Sequence, residues 1–206
     1  MELFPPKAVV FDLDGVILDS FAANVSYYGY IARQMGLKPL SGEDEQIVHR
    51  LTHEGALTHI AGESRLQEAL EWGNDFNARQ MQKGHKAFPG VGETLAYLYD
   101  KVPLAVGTNR NTSATGILRE LGLMDYFQLV LTAGLAPKPK PDKAFMSHLL
   151  DIIGFTPQEV VYVGDSLVDQ ELCENSQVRL VAFQNQGLKA WAYTDDFIKI
   201  PGLLGL

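Results

Sequence analysis

A single cysteine, Cys173, stands in a chain of 206 residues, so no intrachain disulfide can form. A reducing cytoplasm is the expected compartment. No apolar run is long enough to span a bilayer. The opening residues, Met1-Glu2-Leu3-Phe4-Pro5-Pro6, lack the basic region and apolar core of a signal peptide. Basic residues are scarce: 17 Lys and Arg stand against 25 Asp and Glu, a formal net charge of −8. A chain this acidic has no general electrostatic footprint for nucleic acid or an anionic membrane. An anionic ligand would need local positive charge, from a metal or a few placed lysines and arginines. There is no internal repeat and no low-complexity segment. Pro137-Lys138-Pro139-Lys140-Pro141 is biased, but too short to be a linker with a role of its own.

What is present is enough for an ordinary core, with 46% hydrophobic and 20% charged residues. The length suits one domain, or one domain with a modest insertion. Residues 7–13 read as a short buried strand, apolar and β-branched, bounded by Pro5-Pro6 and Gly15. It ends in two carboxylates, Asp12 and Asp14. A regular strand would aim both the same way. Like charges this close are costly unless a cation lies between them. Gly15 then lets the backbone bend away. Carboxylates at the carboxyl end of a buried strand stand where open α/β sheets bind ligands.

Residues 20–88 read as helical, without the period of two that strands need. Gly36-Leu37-Lys38-Pro39 ends one helix, and Ser41-Gly42-Glu43-Asp44-Glu45 starts another. Gly55, Gly62, Gly73 and Gly84 suggest further breaks, and Phe88-Pro89-Gly90 closes the segment. Alternation follows: helix 91–99, strand 103–108, helix 112–121, strand 127–132, helix 142–153, strand 160–163, a helix to about residue 175, and strand 179–183. Strands and helices at this spacing imply a doubly wound, Rossmann-like parallel sheet with right-handed crossovers. The expected fold is therefore an α/β core, residues 1–19 and 89–206, with an inserted small α-helical cap, residues 20–88. The cap would sit over the acidic strand end, with substrate between cap and sheet.

Each strand end carries a polar group. The first gives Asp12 and Asp14, the second Thr108-Asn109, the third a loop bearing Lys138, the fourth Gly164-Asp165-Ser166 with Asp169 a turn later. In a parallel sheet these ends share one edge. Three carboxylates suit Mg²⁺, which prefers oxygen ligands. A carboxylate can attack phosphorus to give an aspartyl-phosphate. Such a transfer needs mainly in-line positioning and charge stabilisation. Thr108 could donate to a phosphoryl oxygen, Lys138 could supply fixed positive charge, and the second carboxylate could move the proton. Taken singly, each group has a plainer structural reading as a turn, a cap or a solvated loop charge.

Four segments in order resemble the motifs of the haloacid dehalogenase-like phosphatases. They are Asp12-Leu13-Asp14-Gly15-Val16 with Asp19-Ser20 following, Thr108-Asn109, Lys138-Pro139-Lys140-Pro141-Asp142, and Gly164-Asp165-Ser166-Leu167-Val168-Asp169. The resemblance covers most of residues 8–185. It implies that Asp12 is the nucleophile and a Mg²⁺ ligand. Asp14 would be the general acid/base and would also ligate the metal through its backbone carbonyl. Thr108 and Asn109 would bind the phosphoryl group, and Lys138 would hold the phosphate and Asp12. Asp165 would ligate the metal, and Asp169 would support that site. Lys138 is preferred because it precedes the first proline as in the pattern, with Lys140 the alternative. The short helical cap is similar to that of phosphoglycolate phosphatases and β-phosphoglucomutases. Members often carry an Ala-Gly pair before the last core strand, where this chain has Asn175-Ser176-Gln177-Val178. That departure bears on the local turn, not the chemistry.

In the cap, Ile47, Val48 and Leu51 share one side of a predicted helix, and His49, Arg50 and His53 share the opposite side. The plainer reading of that basic side is a solvated face; the sharper one is a contact to the distal anion of a substrate. Phe21, Tyr27, Tyr28 and Tyr30 read as packing within the cap. The expected activity is Mg²⁺-dependent hydrolysis of a small phosphomonoester, phosphoglycolate- or sugar-phosphate-like, by a monomer or homodimer. A sugar phosphomutase would share the same phospho-aspartate. A dehalogenase is disfavoured by Asp14, which phosphatases have. A response-regulator-type phospho-acceptor would be shorter, with its acceptor on a later strand. An inactive interaction protein would not need four intact motifs.

Overall fold

A computed structural model describes residues 5–51, 53–80, 85–110 and 113–206, apart from the side chains of residues 46, 49, 50 and 77–80. The chain forms two compact units, residues 20–84 and residues 1–19 together with 85–206.

In chain order the elements are β1 (Ala8–Phe11), α1 (Phe21–Gln34), α2 (Gly42–Arg50), α3 (His53–Ala61), α4 (Leu66–Gln80), α5 (Val91–Tyr99) and β2 (Leu104–Thr108). Then come α6 (Ala114–Glu120), β3 (Leu129–Thr132), α7 (Lys143–Ile153), β4 (Val160–Gly164), α8 (Leu167–Ser176), β5 (Arg179–Phe183), β6 (Ala192–Thr194) and α9 (Ile200–Leu204). The larger unit is a parallel sheet in the order β3-β2-β1-β4-β5-β6. Every residue of β1, β2 and β4 is buried, as expected for central parallel strands covered on both faces. Alternation sorts their side chains. Val9, Phe11, Val106, Val161 and Val163 face a layer that includes Leu95, Leu98, Ile117, Leu118, Ile200 and Leu204. Val10, Ala105 and Tyr162 face the opposite layer, with Phe145, Met146, Leu149 and Leu172. This is the doubly wound α/β core.

The strand order sets the site. Phe11 pairs with Val106 of β2 and with Val163 of β4. The carboxyl ends of β2, β1 and β4 therefore lie side by side, so Thr108, the last residue of β2, and Asp12 and Asp165, the first residues past β1 and β4, reach the same edge.

The unit boundary falls at residues 84/85, not 88/89. The Asp19 N–H donates to the Lys86 carbonyl and the Phe88 N–H to the Ile17 carbonyl, both at 3.0 Å. These bonds tie the returning chain to the turn after β1. The helical unit has its own small core of Tyr28, Ile31, Met35, Val48, Ala56, Leu57 and Ala69. Tyr27, Tyr28 and Phe76 pack edge-to-face about Tyr27, at 5.0 and 5.2 Å between ring centroids. Two glycines expected to break helices do not. Gly55 lies inside α3 and Gly73 inside α4. A Cβ at Gly73 would stand 2.2 Å from Tyr27 Oη, so this position has no room for a side chain where α1 meets α4.

The turn before β5 carries the cost of the departure at Ser176-Gln177. Gln177 ends α8 with φ +57°, the left-handed region that favours glycine. The Ser176 hydroxyl is buried with no hydrogen-bond partner among the described residues. Both features cost stability. The double replacement Ser176→Ala/Gln177→Gly should therefore stabilise the protein by roughly 1–2 kcal/mol, less the added chain freedom of glycine, raising the denaturation midpoint by about 2–8 °C. A lower midpoint in differential scanning calorimetry would show that the turn is not strained as described.

Candidate active site

β1 ends at Phe11, so strand alternation does not extend to Asp14. Asp12 is buried, and its backbone N–H is held by the Val163 carbonyl at 2.9 Å. Its Oδ1 accepts from the Leu13 N–H at 2.7 Å and faces Lys140 Nζ at 3.0 Å. The chain then turns at Gly15, with φ +76°. A Cβ there would lie 2.1 Å from Asp165 Oδ2, so Gly15 is the space in which the Asp165 carboxylate sits.

The lysine in this cluster is Lys140, not Lys138. The Lys138 side chain is 65% exposed and pairs with Asp142, the N-cap of α7, at 3.1 Å. The Lys140 side chain is 2% exposed. Its ammonium meets Asp12 Oδ1 at 3.0 Å, Asp169 Oδ1 at 2.7 Å and the Tyr162 hydroxyl at 2.9 Å. Three N–H donors meet three acceptors, so the ammonium is fully engaged within the chain. Burial alone would lower its pKa, but the Asp12 and Asp169 carboxylates overcome that and the net shift is upward.

The loop is delivered by Asn109. Its Nδ2 donates to the Lys140 carbonyl at 3.0 Å, and its Oδ1 accepts from the Lys140 N–H at 2.8 Å. The Asn109 amide grips the lysine's backbone at both ends. Thr108 is buried at the end of β2, its Oγ1 accepting from the Arg110 N–H at 3.1 Å. Asp14 turns to Arg110, whose Nε and Nη2 donate to its two carboxylate oxygens at 2.8 and 2.6 Å.

Asp169 is placed by local sequence. Ser166 and Asp169 form a capping box at the start of α8. Asp169 Oδ2 accepts from the Ser166 hydroxyl at 2.7 Å and from the Asp165 and Ser166 N–H groups at 3.2 Å. A Cβ at Gly164 would stand 2.5 Å from the Asp169 Cβ, so this turn needs glycine on space alone. The Asp165 backbone carbonyl is held by Asn185 Nδ2 at 2.7 Å.

Asp12, Asp165 and Asp169 each place one carboxylate oxygen within 4.8 Å of the others. Crowding of charge in a dry site has the expected effect. Burial, then the Asp169 and Asp14 carboxylates, push the Asp12 pKa up to about 7 against the pull of Lys140. Burial, then Asp169 and Asp12, push Asp165 up as well.

The haloacid dehalogenase-like hydrolase family model matches residues 9–183. The chain belongs to that family. It is similar to the phosphoglycolate phosphatase of Neisseria meningitidis, 32% identical over 176 residues, which cover 79% of this chain and 74% of the relative. It is also similar to the phosphoglycolate phosphatase of Nitrosococcus oceani, 27% identical, covering 97% of this chain and 96% of the relative. A crystal structure of a haloacid dehalogenase-superfamily hydrolase, subfamily IA, variant 1, from Geobacter sulfurreducens is 34% identical, with a TM-score of 0.77 and 97% of both chains covered. The chain is an enzyme, a phosphatase of this family.

The residues fit a small, hard divalent cation. Among the described residues no donor hydrogen-bonds to the Asp165 carboxylate, and Asp12 keeps Oδ2 free of the bonds that hold Oδ1. Both Asp169 oxygens are already committed, to Lys140 and to the cap of α8. Asp12 and Asp165 are thus the open donors, with Asp169 behind them, and all are oxygens.

His53 does not lie on the helix that carries His49 and Arg50. α2 ends at Arg50, Leu51 is extended with ψ 163°, and His53 opens α3. His53 Nε2 lies 2.8 Å from Tyr27 Oη, so the ring belongs to the aromatic packing of α1. The side chains of His49 and Arg50 lie outside the described residues. Sequence reasoning missed Tyr162 and Asn185, and it did not see that Arg110 holds Asp14. A lone hydroxyl-bearing residue inside Val160-Val161-Tyr162-Val163 was the available signal for Tyr162. A buried phenol needs a partner. Tyr162 Oη donates to the Gly107 carbonyl at 2.6 Å and accepts from Lys140.

Proposed function

We propose that the protein is a Mg²⁺-dependent phosphatase of small phosphomonoesters, phosphoglycolate- or sugar-phosphate-like, working through an aspartyl-phosphate. One observation carries this reading: a buried lysine pinned between Asp12 and Asp169, beside Asp165, at the ends of adjacent parallel strands. The names of the curated relatives support the substrate class. In this reading Asp12 attacks phosphorus, and the Leu13 N–H and Lys140 fix the orientation of its carboxylate. The Thr108 hydroxyl donates a hydrogen bond to a phosphoryl oxygen. Asp14 passes a proton to the leaving oxygen and later takes one from the attacking water. Lys140 takes the place expected of Lys138. It holds Asp12 and balances its charge, since its donors are already engaged. Mg²⁺, held by Asp12, Asp165 and the Asp14 backbone carbonyl with Asp169 in support, would neutralise the charge of the incoming phosphoryl group. The helical unit, residues 20–84, acts as the cap that selects the substrate. The enzyme works in the cytoplasm as a monomer or homodimer.

The test is phosphate release from phosphoglycolate, a panel of sugar phosphates and phenyl phosphate. It is run with Mg²⁺, after chelation, and after Mg²⁺ is restored. Release that falls to background on chelation and returns with Mg²⁺ is expected. Full activity in chelator, or none across the panel with Mg²⁺, would refute the proposal.

A further inference from the structure

Asp14 and Arg110 are brought together from 96 residues apart. The guanidinium grips the carboxylate side-on, with one donor to each oxygen. The two side chains are 31% and 29% exposed. Both side chains are half-buried, and holding them together costs the freedom of a long side chain. What it supplies is direction, because a two-point fork fixes the plane of a carboxylate as a single contact cannot. Arg110 is itself fixed. Its backbone N–H is bonded to Thr108 Oγ1 at the end of β2, and its Nη1 approaches Ser113 Oγ at 3.4 Å. Orientation thus passes from the buried end of β2, through Arg110, to Asp14. The fork uses one lone pair on each carboxylate oxygen and leaves another on each for a second partner.

We propose that Arg110 is a positioning residue, which sets the Asp14 carboxylate in the plane from which it exchanges a proton with the leaving oxygen and the attacking water. The inference rests on the reading of Asp14 as the proton carrier. In the first half-reaction a bond forms between an Asp12 oxygen and phosphorus, and the phosphorus–oxygen bond to the leaving group breaks. That electron pair goes to the leaving oxygen, which takes the proton of Asp14. In the second, water attacks phosphorus and gives a proton to Asp14. The bond to Asp12 breaks, its pair returns to the carboxylate, and inorganic phosphate leaves. Arg110 gives up no proton in either half.

The test compares wild type, Arg110→Met, Arg110→Lys and Asp14→Asn on phenyl phosphate and 2,4-dinitrophenyl phosphate. The second leaving group departs without a proton. The readout is kcat/KM, which covers steps up to departure of the leaving group, with the denaturation midpoint as a check on folding. General acid catalysis contributes about 10²–10⁴-fold, so Arg110→Met should lose roughly 30-fold or more on phenyl phosphate but under about 3-fold on the dinitrophenyl ester. Arg110→Lys, which keeps the charge and loses the fork, should fall between. Asp14→Asn should show the same selectivity at greater depth. An equal loss on both esters in the Arg110 variants, with Asp14→Asn still selective, overturns the inference alone. Loss of selectivity in Asp14→Asn removes the proton-carrier reading and the inference with it. Should Arg110→Met fail to fold, the Arg110→Lys comparison decides.

Discussion

Replacing Lys140 with methionine should abolish turnover, while replacing Lys138 with methionine should leave it within about twofold of wild type. The two lysines stand two positions apart in one proline-rich loop, and their surroundings differ completely. Lys138 is a solvated charge paired with the half-buried Asp142, and a lysine this exposed gains little from such a pair. Lys140 is buried between two carboxylates and a phenol. Methionine in its place leaves Asp12 and Asp169 buried without their cation. Removing one partner of a buried pair typically costs about 3–5 kcal/mol. The metal-free Lys140→Met protein should be destabilised by that order in urea. The catalytic loss should be larger than instability explains, because Asp12 also loses the group that orients it. A fall of about 10³-fold or more in kcat is expected for protein that is still folded at the assay temperature. Steady-state kinetics on phenyl phosphate, with circular dichroism to confirm folding, checks this. Retained activity in Lys140→Met together with loss in Lys138→Met would restore the assignment made from motif order.

That pair of lysines marks where the sequence stops being legible. The strand ends could be read because each is a short run of buried, mostly apolar residues that stops at a polar one. Three such ends, at Asp12, Thr108 and Asp165, are adjacent in the sheet. Helices α5, α7 and α8 could be read because their apolar period and their ends, Gly90, Asp142 and Ser166, agree. The choice between Lys138 and Lys140 could not be made, since it depends on how the loop lies against β2. That is set by Asn109 holding the Lys140 backbone from 31 residues away. Nothing local in Pro137-Lys138-Pro139-Lys140-Pro141 encodes it. The partnership of Asp14 with Arg110 is hidden for the same reason. A period of two would have kept Asp14 beside Asp12, but β1 ends before either, and the side chain follows the turn instead. His53 failed for a local reason. Leu51, in extended conformation, ends α2, and no glycine or proline marks the stop. β6 and α9 went unread because each is short, Ala192–Thr194 and Ile200–Leu204.

Asp12→Asn should remove the activity and, in the absence of metal, flatten the dependence of stability on pH. The first half follows from chemistry. An amide does not attack phosphorus as a carboxylate does, and loss of a nucleophile commonly costs on the order of 10⁴-fold or more. The second half follows from where the carboxylate sits. Burial first, and then the neighbouring Asp169 and Asp14 carboxylates, raise the Asp12 pKa from 3.8 to about 7, with Lys140 opposing. A carboxyl raised in the folded state binds more protons there than in the unfolded chain between those two values. Stability therefore falls as pH rises through that window. Asp165 is shifted in the same direction by the same kind of crowding, so the wild-type slope has more than one source. Asparagine does not titrate and takes one carboxylate out of the cluster, which also eases Asp165. Urea denaturation in chelator at pH 5 and pH 8 should then show wild type losing more stability across the interval than Asp12→Asn. Mg²⁺ at the higher pH should recover part of the loss in wild type, because it favours the ionised carboxylates that the metal-free site resists. Equal slopes in the two proteins would mean that Asp12 is not the strained group. A steeper slope in Asp12→Asn would mean that Lys140 outweighs the crowding, and that the cluster is already balanced without a cation.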